Sequence, residues 1–593
     1  MTVRLGLAWL GGAALLVGTT FLLDDYTADL FRKMLLTVTL ALSFNFLFGI
    51  AGQLAFSHVA FYGIGAYTIV ILAYHFGWPL PLAFLGALAI GFVLALTVAV
   101  PSLRLEGFFL ALASLAFAQI FTVVMVQGGE VTGAADGISG YASPTVLGIR
   151  FAGQNYLFAV IGLFLATLAI LLAIDRTYFG RACRAIRDNP DPAAAMGINV
   201  ARTKIIVFVL SSMLATIAGM FYAYADNYVN PFVFDLDYMF LLFFMVVVGG
   251  SGRHEGAVIG AVVLFALPEL LGNVIGNRHM FFYGLFVVLA ILFWPDGLAG
   301  IIDRFRAALR TKAANPARIA RPALVPTARV PTPPHADAPL VTVRGLSKRF
   351  GGIVAVDGID FELYAGEILG IIGPNGAGKT TTFNLIAGVF PSAAGSVRLR
   401  DTEILGLSPH DVAAHGIIRT YQHNRLFAGL TVLDNVLIGA HTRFSGSRIG
   451  SGRLARLEVE MRREAFDILS LVQLADQAEA DVRRLSFGQG RLLEIARALI
   501  GRPSVIMFDE PAAGLAPAEL ERLGEIIRWI SGHGIAVLLI EHDMNFLLPL
   551  AHRAIVLNFG RKIADGTPAT VCADPMVIDA YLGATVQAQG GTA

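Results

Sequence analysis

From Met34 to Leu103 the chain contains no Asp, Glu, Lys or Arg. No water-soluble fold requires a charge-free run of that length, whereas a helix crossing the hydrocarbon core of a bilayer needs about 20 apolar residues. The stretch therefore has room for three crossings, broken near Gly49–Gln53 and near Gly77–Pro79. Charge-free runs of spanning length are Pro79 to Val100, Gly107 to Gly129, Ala152 to Ile174 and Ile205 to Ala225. Two shorter runs, Tyr238 to Val248 and Gly256 to Leu267, flank Gly249-Gly250-Ser251-Gly252 and read as short, broken or re-entrant spans, and Phe281 to Pro295 closes the set. Leu5 to Leu23 follows Arg4 and imitates a signal peptide. No clear small-x-small cleavage site precedes Asp24 and more spans follow, so it reads as a first span. The expectation is a multi-span α-helical membrane domain of about ten helices.

Basic loops orient such a domain. Arg176, Arg181, Arg184, Arg187, Arg202 and Lys204 follow the sixth span, and Arg304, Arg306, Arg310 and Lys312 follow the last, so both segments are expected in the cytoplasm. Alternation then puts Arg4 and Arg104 inside and Asp24–Asp29 and Asp226–Asp237 outside, with an even number of spans and both termini cytoplasmic.

At 593 residues the chain is also too long for one core. Only 15% of it is charged, against about 25% in soluble domains, but the deficit is confined to the N-terminal part. Residues 307–339 are rich in Ala, Pro and Arg and end in Pro331-Thr332-Pro333-Pro334, a composition that reads as a semi-extended linker between a membrane domain at 1–306 and a second domain at 340–593. In the second domain apolar strands alternate with helical segments, which argues α/β with a largely parallel sheet. A net charge of +1 provides no polyanion-binding surface, so no nucleic-acid partner is expected. Cys183 and Cys572 lie too far apart in the chain for a metal or redox spacing and read as isolated thiols.

The chemistry is concentrated in that second domain. Ile368 to Ile372 reads as a buried strand and leads into Gly373, Pro374, Asn375, Gly376, Ala377, Gly378, Lys379 and Thr380, with Thr381 next and a helical run beyond. This is a complete G-x-x-x-x-G-K-[ST] phosphate loop in its strand–loop–helix setting. Its glycines let backbone N–H groups face phosphate oxygens, and the helix N-terminus adds partial positive charge. Lys379 is expected to reach the β/γ-phosphates of ATP, and the Thr380 hydroxyl to ligate Mg²⁺. A second apolar strand, Val505 to Phe508, delivers Asp509 and Glu510 where α/β sheets place ligands. Asp509 is expected to hold Mg²⁺ through water, and Glu510 to polarise the attacking water as general base.

Leu485-Ser486-Phe487-Gly488-Gln489 resembles the signature of ABC ATPases, which binds the γ-phosphate held by the opposite subunit. By the same resemblance Gln422 corresponds to the Q-loop glutamine that senses Mg²⁺, His542 to the switch histidine on the γ-phosphate, and Phe350 to the aromatic residue that stacks on adenine. The implied ATP site thus takes Phe350, the phosphate loop, Gln422, Ser486, Gly488 and Gln489, with Thr380, Gln422 and Asp509 on Mg²⁺ and Glu510 and His542 as hydrolytic residues. Two positions depart from the pattern. Ala516 stands where relatives carry Asp or Asn in the D-loop and offers no side-chain hydrogen bond, and Gly490 follows the signature where Gln or Arg is usual.

In the cytoplasmic loop of the membrane domain, residues 184–198 contain a very short helix: Asp191 is suited to cap it, Pro192 to open it and Gly197 to stop it. A capped turn projecting from a membrane domain suits docking into an ATPase groove; a basic loop facing lipid head groups is the other reading. The loop, with Arg184, Asp191, Pro192 and Gly197, resembles the coupling segment of the branched-chain (hydrophobic) amino-acid uptake permeases. So do Gly52 to Tyr67, Leu103 to Phe108, Thr132 to Ile138 and Val248 to Gly252. The ATPase part resembles the matching subunit through Leu426-Phe427, Asp509 to Leu515, Glu541 to Met544 and Ala580 to Gly583. In relatives these are usually two proteins; here they are fused.

The resemblance implies an ATP-driven importer in a bacterial inner membrane. It would take branched-chain amino acids first of all, or other amino acids, urea, short amides or aromatic acids, from a periplasmic binding protein and work with a second permease/ATPase half, a heteromer by family habit or a homodimer. An exporter half-transporter and a membrane-anchored regulatory ATPase are the competing classes. Asn45, Gln53, Ser57, His58 and Gln119 are candidate path residues, because unpaired polar groups in lipid are costly; each also reads as interhelical glue.

Overall fold

The computed structural model describes residues 16–581 apart from 104, 106, 147, 276–277, 302–337, 391–392, 423–424 and 445–449. The expected linker, most of the first expected span, the basic residues Arg4, Arg104, Arg304, Arg306, Arg310 and Lys312, and the last two residues of Ala580 to Gly583 therefore lie largely or wholly outside the described residues. The chain divides into two compact units. One runs through Cys183 and resumes at Ala201; the other joins Arg184–Val200 to the residues beyond the linker.

The first unit is helical. Its elements are α1 (Asp25–Phe44), α2 (His58–Val70), α3 (Leu80–Ser102), α4 (Phe108–Gln127), α5 (Gly153–Asp175), the start of α6 (Tyr178–Asp188), α8 (Val200–Asp226), α9 (Leu236–Gly249), α10 (His254–Ile275) and α11 (His279–Phe293). Seven described helices are long and apolar enough to cross a membrane, and Leu236–Gly249 and Met280–Phe293 are shorter apolar helices. Two of the long ones lie inside the charge-free stretch, and a third, Asp25–Ile50, runs into it from a charged first turn. α1 and α2 each end in a π-helical turn, Asn45–Ile50 and Ile71–His75, the local unwinding that accompanies functional positions in helices.

Small residues allow close packing where no hydrophobic force drives helices together in lipid. A Cβ on Gly219 of α8 would overlap the Tyr62 carbonyl of α2, and one on Gly65 of α2 the Thr216 carbonyl of α8. The sequence Gly249–Gly252 is a tight corner between α9 and α10. Gly250 takes φ +117°, and Gly249, Gly256 and Gly260 pack backbone against backbone.

The second unit holds two sheets. One is antiparallel, order β2-β1-β4-β5, from β1 (Val341–Phe350), β2 (Ile353–Leu363), β4 (Ala394–Leu399) and β5 (Thr402–Glu403). The other runs β6-β7-β8-β3-β9-β10, built from β3 (Ile368–Ile372), β6 (Ile417–Arg419), β7 (Val505–Asp509), β8 (Ala536–Ile540), β9 (Arg553–Asn558) and β10 (Arg561–Gly566). It is parallel except for the β9–β10 edge. β3, β7 and β8 are buried along their whole length, as continuous Ile/Leu/Val runs in a covered parallel sheet require. Helix α12 (Lys379–Ile386) follows β3, α13 (Phe487–Leu499) precedes β7, and α14 (Pro517–Gly532) lies between β7 and β8.

Residues 184–200 carry the end of α6 and the short helix α7 (Pro190–Ala195). Its start corrects the expected cap. Pro190, not Pro192, takes the first helical position; Asn189 is the N-cap residue, and Asp191 sits inside the first turn. A proline ring fixes φ at a helical value and needs no N–H bond there; Asp191 is then left to favour the positive helix end. Gly197 follows the helix at φ +86°, left-handed backbone that only glycine adopts without strain.

Candidate functional site: a nucleotide pocket at the sheet edge

The strands deliver the predicted residues to one place because β3, β8 and β7 are adjacent and parallel, so their C-terminal ends share one edge of the sheet. From β3 comes the phosphate loop. Gly373, Gly376 and Gly378 have φ of +148°, +81° and +98°, conformations that turn successive N–H groups inward. A side chain at Gly373 or Gly378 would meet the Leu557 or Ala355 carbonyl. Lys379 is buried, and its Nζ donates to Gly373 O at 2.7 Å and Pro374 O at 3.0 Å. Burial pushes its ammonium below the usual lysine range, opposed by the negative charges of Glu510 and Asp509. Ala377 is buried, while Asn375 and Thr380 face solvent beside the loop, and Thr381 is half-buried.

From β7 come Asp509 and Glu510. Glu510 has φ +48°, a left-handed conformation that costs a non-glycine residue about 1–2 kcal/mol. That turn aims its carboxylate between two of the predicted partners. Gln422 Nε2 donates to Glu510 Oε2 at 2.6 Å, and His542 Nε2 lies 3.0 Å from Glu510 Oε1. Residues spread over more than a hundred positions thus meet on one carboxylate. Gln422 spends its amide nitrogen on Glu510, which leaves its carbonyl oxygen as an acceptor. With the Thr380 hydroxyl and the Asp509 carboxylate it makes an all-oxygen donor set that fits a hard cation such as Mg²⁺.

Ser486 caps α13, accepting from Gln489 N at 3.2 Å while Gln489 Oε1 accepts from Ser486 N at 3.0 Å. This reciprocal capping box uses both predicted signature side chains on their own helix end. A Cβ on Gly488 would strike the Glu519 carboxylate, which also accepts from Ala516 N at 3.1 Å. Glu519, in the first turn of α14, thus satisfies the Ala516 N–H. Gly490 is buried. Phe350 is 42% exposed and packs edge-on against Phe390 with ring centroids 5.1 Å apart, leaving ring surface for a base to stack on.

Several residues to which motif reading gave no role join this site. Arg419, at the end of β6, is buried, bonds Asp509 Oδ2 at 2.6 Å and contacts Asn384 of α12. Glu541 is buried behind the pocket and accepts from Ala512 N at 2.6 Å and His542 N at 3.1 Å. A buried Arg491–Glu494–Arg497 cluster on α13 grips the chain on both sides of Gln422. Arg491 donates to Tyr421 O and Gln422 O, Arg497 to Arg425 O, and Glu494 accepts from Arg425 N. An apolar-run scan passes over such residues because they are charged yet buried; only their i, i+3 spacing on a helix hints at pairing.

Within the same unit, residues 184–200 meet the segment after Gln422. Asp188 Oδ2 accepts from Gly429 N at 2.7 Å, and Arg425 Nη1 lies 3.8 Å from Asp191 Oδ2. Asn199 Nδ2 is 2.8 Å from His410 Nε2, and a Cβ on Gly197 would overlap the Thr442 methyl. Burial raises the Asp188 carboxyl above its ordinary range against the Gly429 hydrogen bond and Arg187, Arg184 and Arg483.

The five candidates in the helical unit divide. Asn45 is buried and clamps the α9–α10 corner, accepting from Gly252 N at 2.9 Å and donating to Arg253 O at 3.2 Å. Gln53 donates to Lys204 O at 3.0 Å. His58 Nε2 pairs with Ser43 Oγ at 2.8 Å, and Ser57 is buried beside it. Gln119 stands apart on the exposed face of α4.

Three family models match the chain. "Branched-chain amino acid transport system / permease component" covers residues 26–293, "ABC transporter" 356–513, and "Branched-chain amino acid ATP-binding cassette transporter" 561–586. The chain is 41% identical over 251 residues to the high-affinity branched-chain amino acid transport ATP-binding protein LivG of Escherichia coli (strain K12), covering 41% of this chain and 98% of that protein. It is 41% identical over 250 residues to the corresponding protein BraF of Pseudomonas aeruginosa, with the same coverage. A nucleotide-free ATP-binding cassette from an ABC transporter, 31% identical, covers 41% of this chain and 99% of its own, with a TM-score of 0.37.

Proposed function

Because the chain belongs to the branched-chain amino-acid ABC transporter family, with permease and ATP-hydrolysing cassette in one polypeptide, we propose that it imports an amino acid or a related small acid or amide. It receives this solute from a periplasmic binding protein, and its cassette and both termini lie in the cytoplasm of a bacterium. Two such halves assemble, since the signature of one cassette completes the phosphate site of another.

In this reading Phe350 stacks on adenine, the N–H groups of residues 373–380 and Lys379 bind the β- and γ-phosphates, and Ser486, Gly488 and Gln489 of the opposite cassette close over the γ-phosphate. Thr380, Gln422 and Asp509 would hold Mg²⁺, which would supply charge neutralisation for the phosphates. Glu510 accepts a proton from water as the water attacks γ-phosphorus; the bond to the β,γ-bridging oxygen breaks and ADP leaves. His542 faces the same carboxylate and orients the γ-phosphate.

The observation carrying the transport reading is the contact of Asp188 and Asp191 with the segment that follows Gln422. The peptide that senses the pocket is thereby hydrogen-bonded to a loop leading directly into the membrane helices. Arg184, Asp191, Pro192 and Gly197 are proposed to belong to this coupling loop, whose short helix opens at Asn189 and Pro190. Asn45, Gln53, Ser57 and His58 are proposed to line or brace the solute path, Asn45 and Gln53 as braces.

Reconstitution tests it. Vesicles carrying the chain are given ATP on the cassette side and labelled amino acids with or without the purified binding protein. Binding-protein-dependent uptake supports import. Accumulation on the other side supports an exporter, and ATPase activity with no solute movement a regulatory ATPase; either sinks the proposal.

A further inference from the structure

Glu541 is a carboxylate with no place in the hydrolytic scheme above, yet it is almost wholly enclosed, at 3% exposure, directly behind the hydrolytic pair. It follows β8, the strand between the one that delivers Glu510 and the one that delivers the phosphate loop. Its two oxygens serve different segments. Oε1 accepts from the N–H of Ala512, two residues after Glu510, and Oε2 accepts from the N–H of His542; the Asp543 N–H bonds it as well. Glu510 N, in turn, donates to Ile540 O, immediately before Glu541. The left-handed turn at Glu510 and the first residue of the switch therefore hang on one side chain, by backbone bonds that leave the Glu510 and His542 side chains free to face the pocket.

We propose that Glu541 is the positioning residue of the hydrolytic site, tying the turn that carries Glu510 and opens the D-loop to the backbone that carries His542. The D-loop leaves this turn through Ala512 and reaches Ala516, which has no polar side chain with which to signal. Movement of the loop is passed to Glu510 and His542 through the Ala512 N–H and the Glu541 carboxylate. A buried carboxyl suits this task, because it offers two acceptor oxygens to N–H groups that would otherwise be unsatisfied. The inference rests on the assignment of Glu510 and His542 as hydrolytic residues.

The test uses the full-length chain in lipid nanodiscs with Mg-ATP as the probe and compares Glu541→Gln, Glu541→Asp, His542→Ala, Glu510→Gln and the Glu541→Gln/His542→Ala pair. Glutamine keeps the shape but sets an amide N–H₂ against a backbone N–H; aspartate keeps the charge but withdraws it by one carbon from Ala512. Either is expected to lower kcat about tenfold, with KM for ATP and the affinity for a fluorescent ATP analogue within about twofold of wild type. Because Glu541 acts through His542 and Glu510, the Gln substitution in the His542→Ala background should cost less than about threefold. Should Glu541→Gln fail to fold, Glu541→Asp carries the same measurement. Unchanged kcat, a loss shared equally by kcat, KM and melting temperature, or a full tenfold loss in the His542→Ala background would each overturn the inference. If Glu510→Gln itself still turns over, it is the hydrolytic assignment that has failed.

Discussion

Removing Asp188 should uncouple the cassette from the membrane helices, whereas removing Asp191 should change little. Both carboxylates belong to the short segment that meets the loop after Gln422, but their contacts differ in kind. Asp188 accepts the Gly429 N–H at 2.7 Å and is sufficiently withdrawn from water for burial to raise its carboxyl above the ordinary range. A hydrogen bond to an ionised acceptor contributes about 1.5–3 kcal/mol, and partial exposure brings the figure toward the lower end. Asp191 lies 3.8 Å from Arg425 with side-chain exposures of 76% and 40%, where an ion pair is worth about 0–1 kcal/mol. Asp188→Ala is therefore expected to lower binding-protein-stimulated ATPase activity about tenfold for about 1.4 kcal/mol lost, with unstimulated activity preserved. Asp191→Ala should retain stimulation within about twofold. The assay is steady-state phosphate release in proteoliposomes, with and without loaded binding protein. Equal losses from the two substitutions, or full stimulation in Asp188→Ala, would refute the ranking.

Glu510→Gln is expected to abolish steady-state hydrolysis while leaving ATP binding intact, measured by phosphate release and by nucleotide affinity in a dimer-forming preparation; normal turnover would remove Glu510 from its role. Asn45→Leu leaves the Gly252 N–H and the Arg253 carbonyl without their side-chain partner, so the permease should lose about 2–4 kcal/mol and show a lower thermal midpoint in detergent. Glu541 provides a pH signature, since burial raises its carboxyl from 4.5 to about 7. The folded chain therefore holds that proton more tightly than the unfolded one. The resulting stabilisation is complete below the unfolded pKa and is lost as pH rises through about 7. Measured as the difference in stability between wild type and Glu541→Gln, it should fall by up to about 3 kcal/mol from pH ~4.5 to pH ~8; a flat difference would show that Glu541 does not titrate there.

The membrane character and the cassette chemistry were legible in the sequence for a simple reason. Both depend on short-range patterns: about 20 apolar residues for a span, and glycines, a lysine and a threonine at fixed offsets for a phosphate loop. The long helices His58–His75 and Leu80–Ser102, the part of Asp25–Ile50 that enters the charge-free stretch, and the loop between β3 and α12 need nothing distant to define them. Even the misjudged helix start belongs here, because Pro190 and Pro192 are both suited to open a helix and local preference alone could not choose between them.

What only the tertiary structure decided is which side chains answer one another across long separations. Arg419 on Asp509, Glu541 on Ala512, Asp188 on Gly429 and Asn45 on Gly252 carry no local signature. A charged or polar residue reads the same in sequence whether it faces water or satisfies a buried partner. The parallel order β7-β8-β3 places the Asp509–Glu510 turn, Glu541–His542 and the phosphate loop at one edge. Burial then leaves each polar group there to find a partner or cost the fold its desolvation.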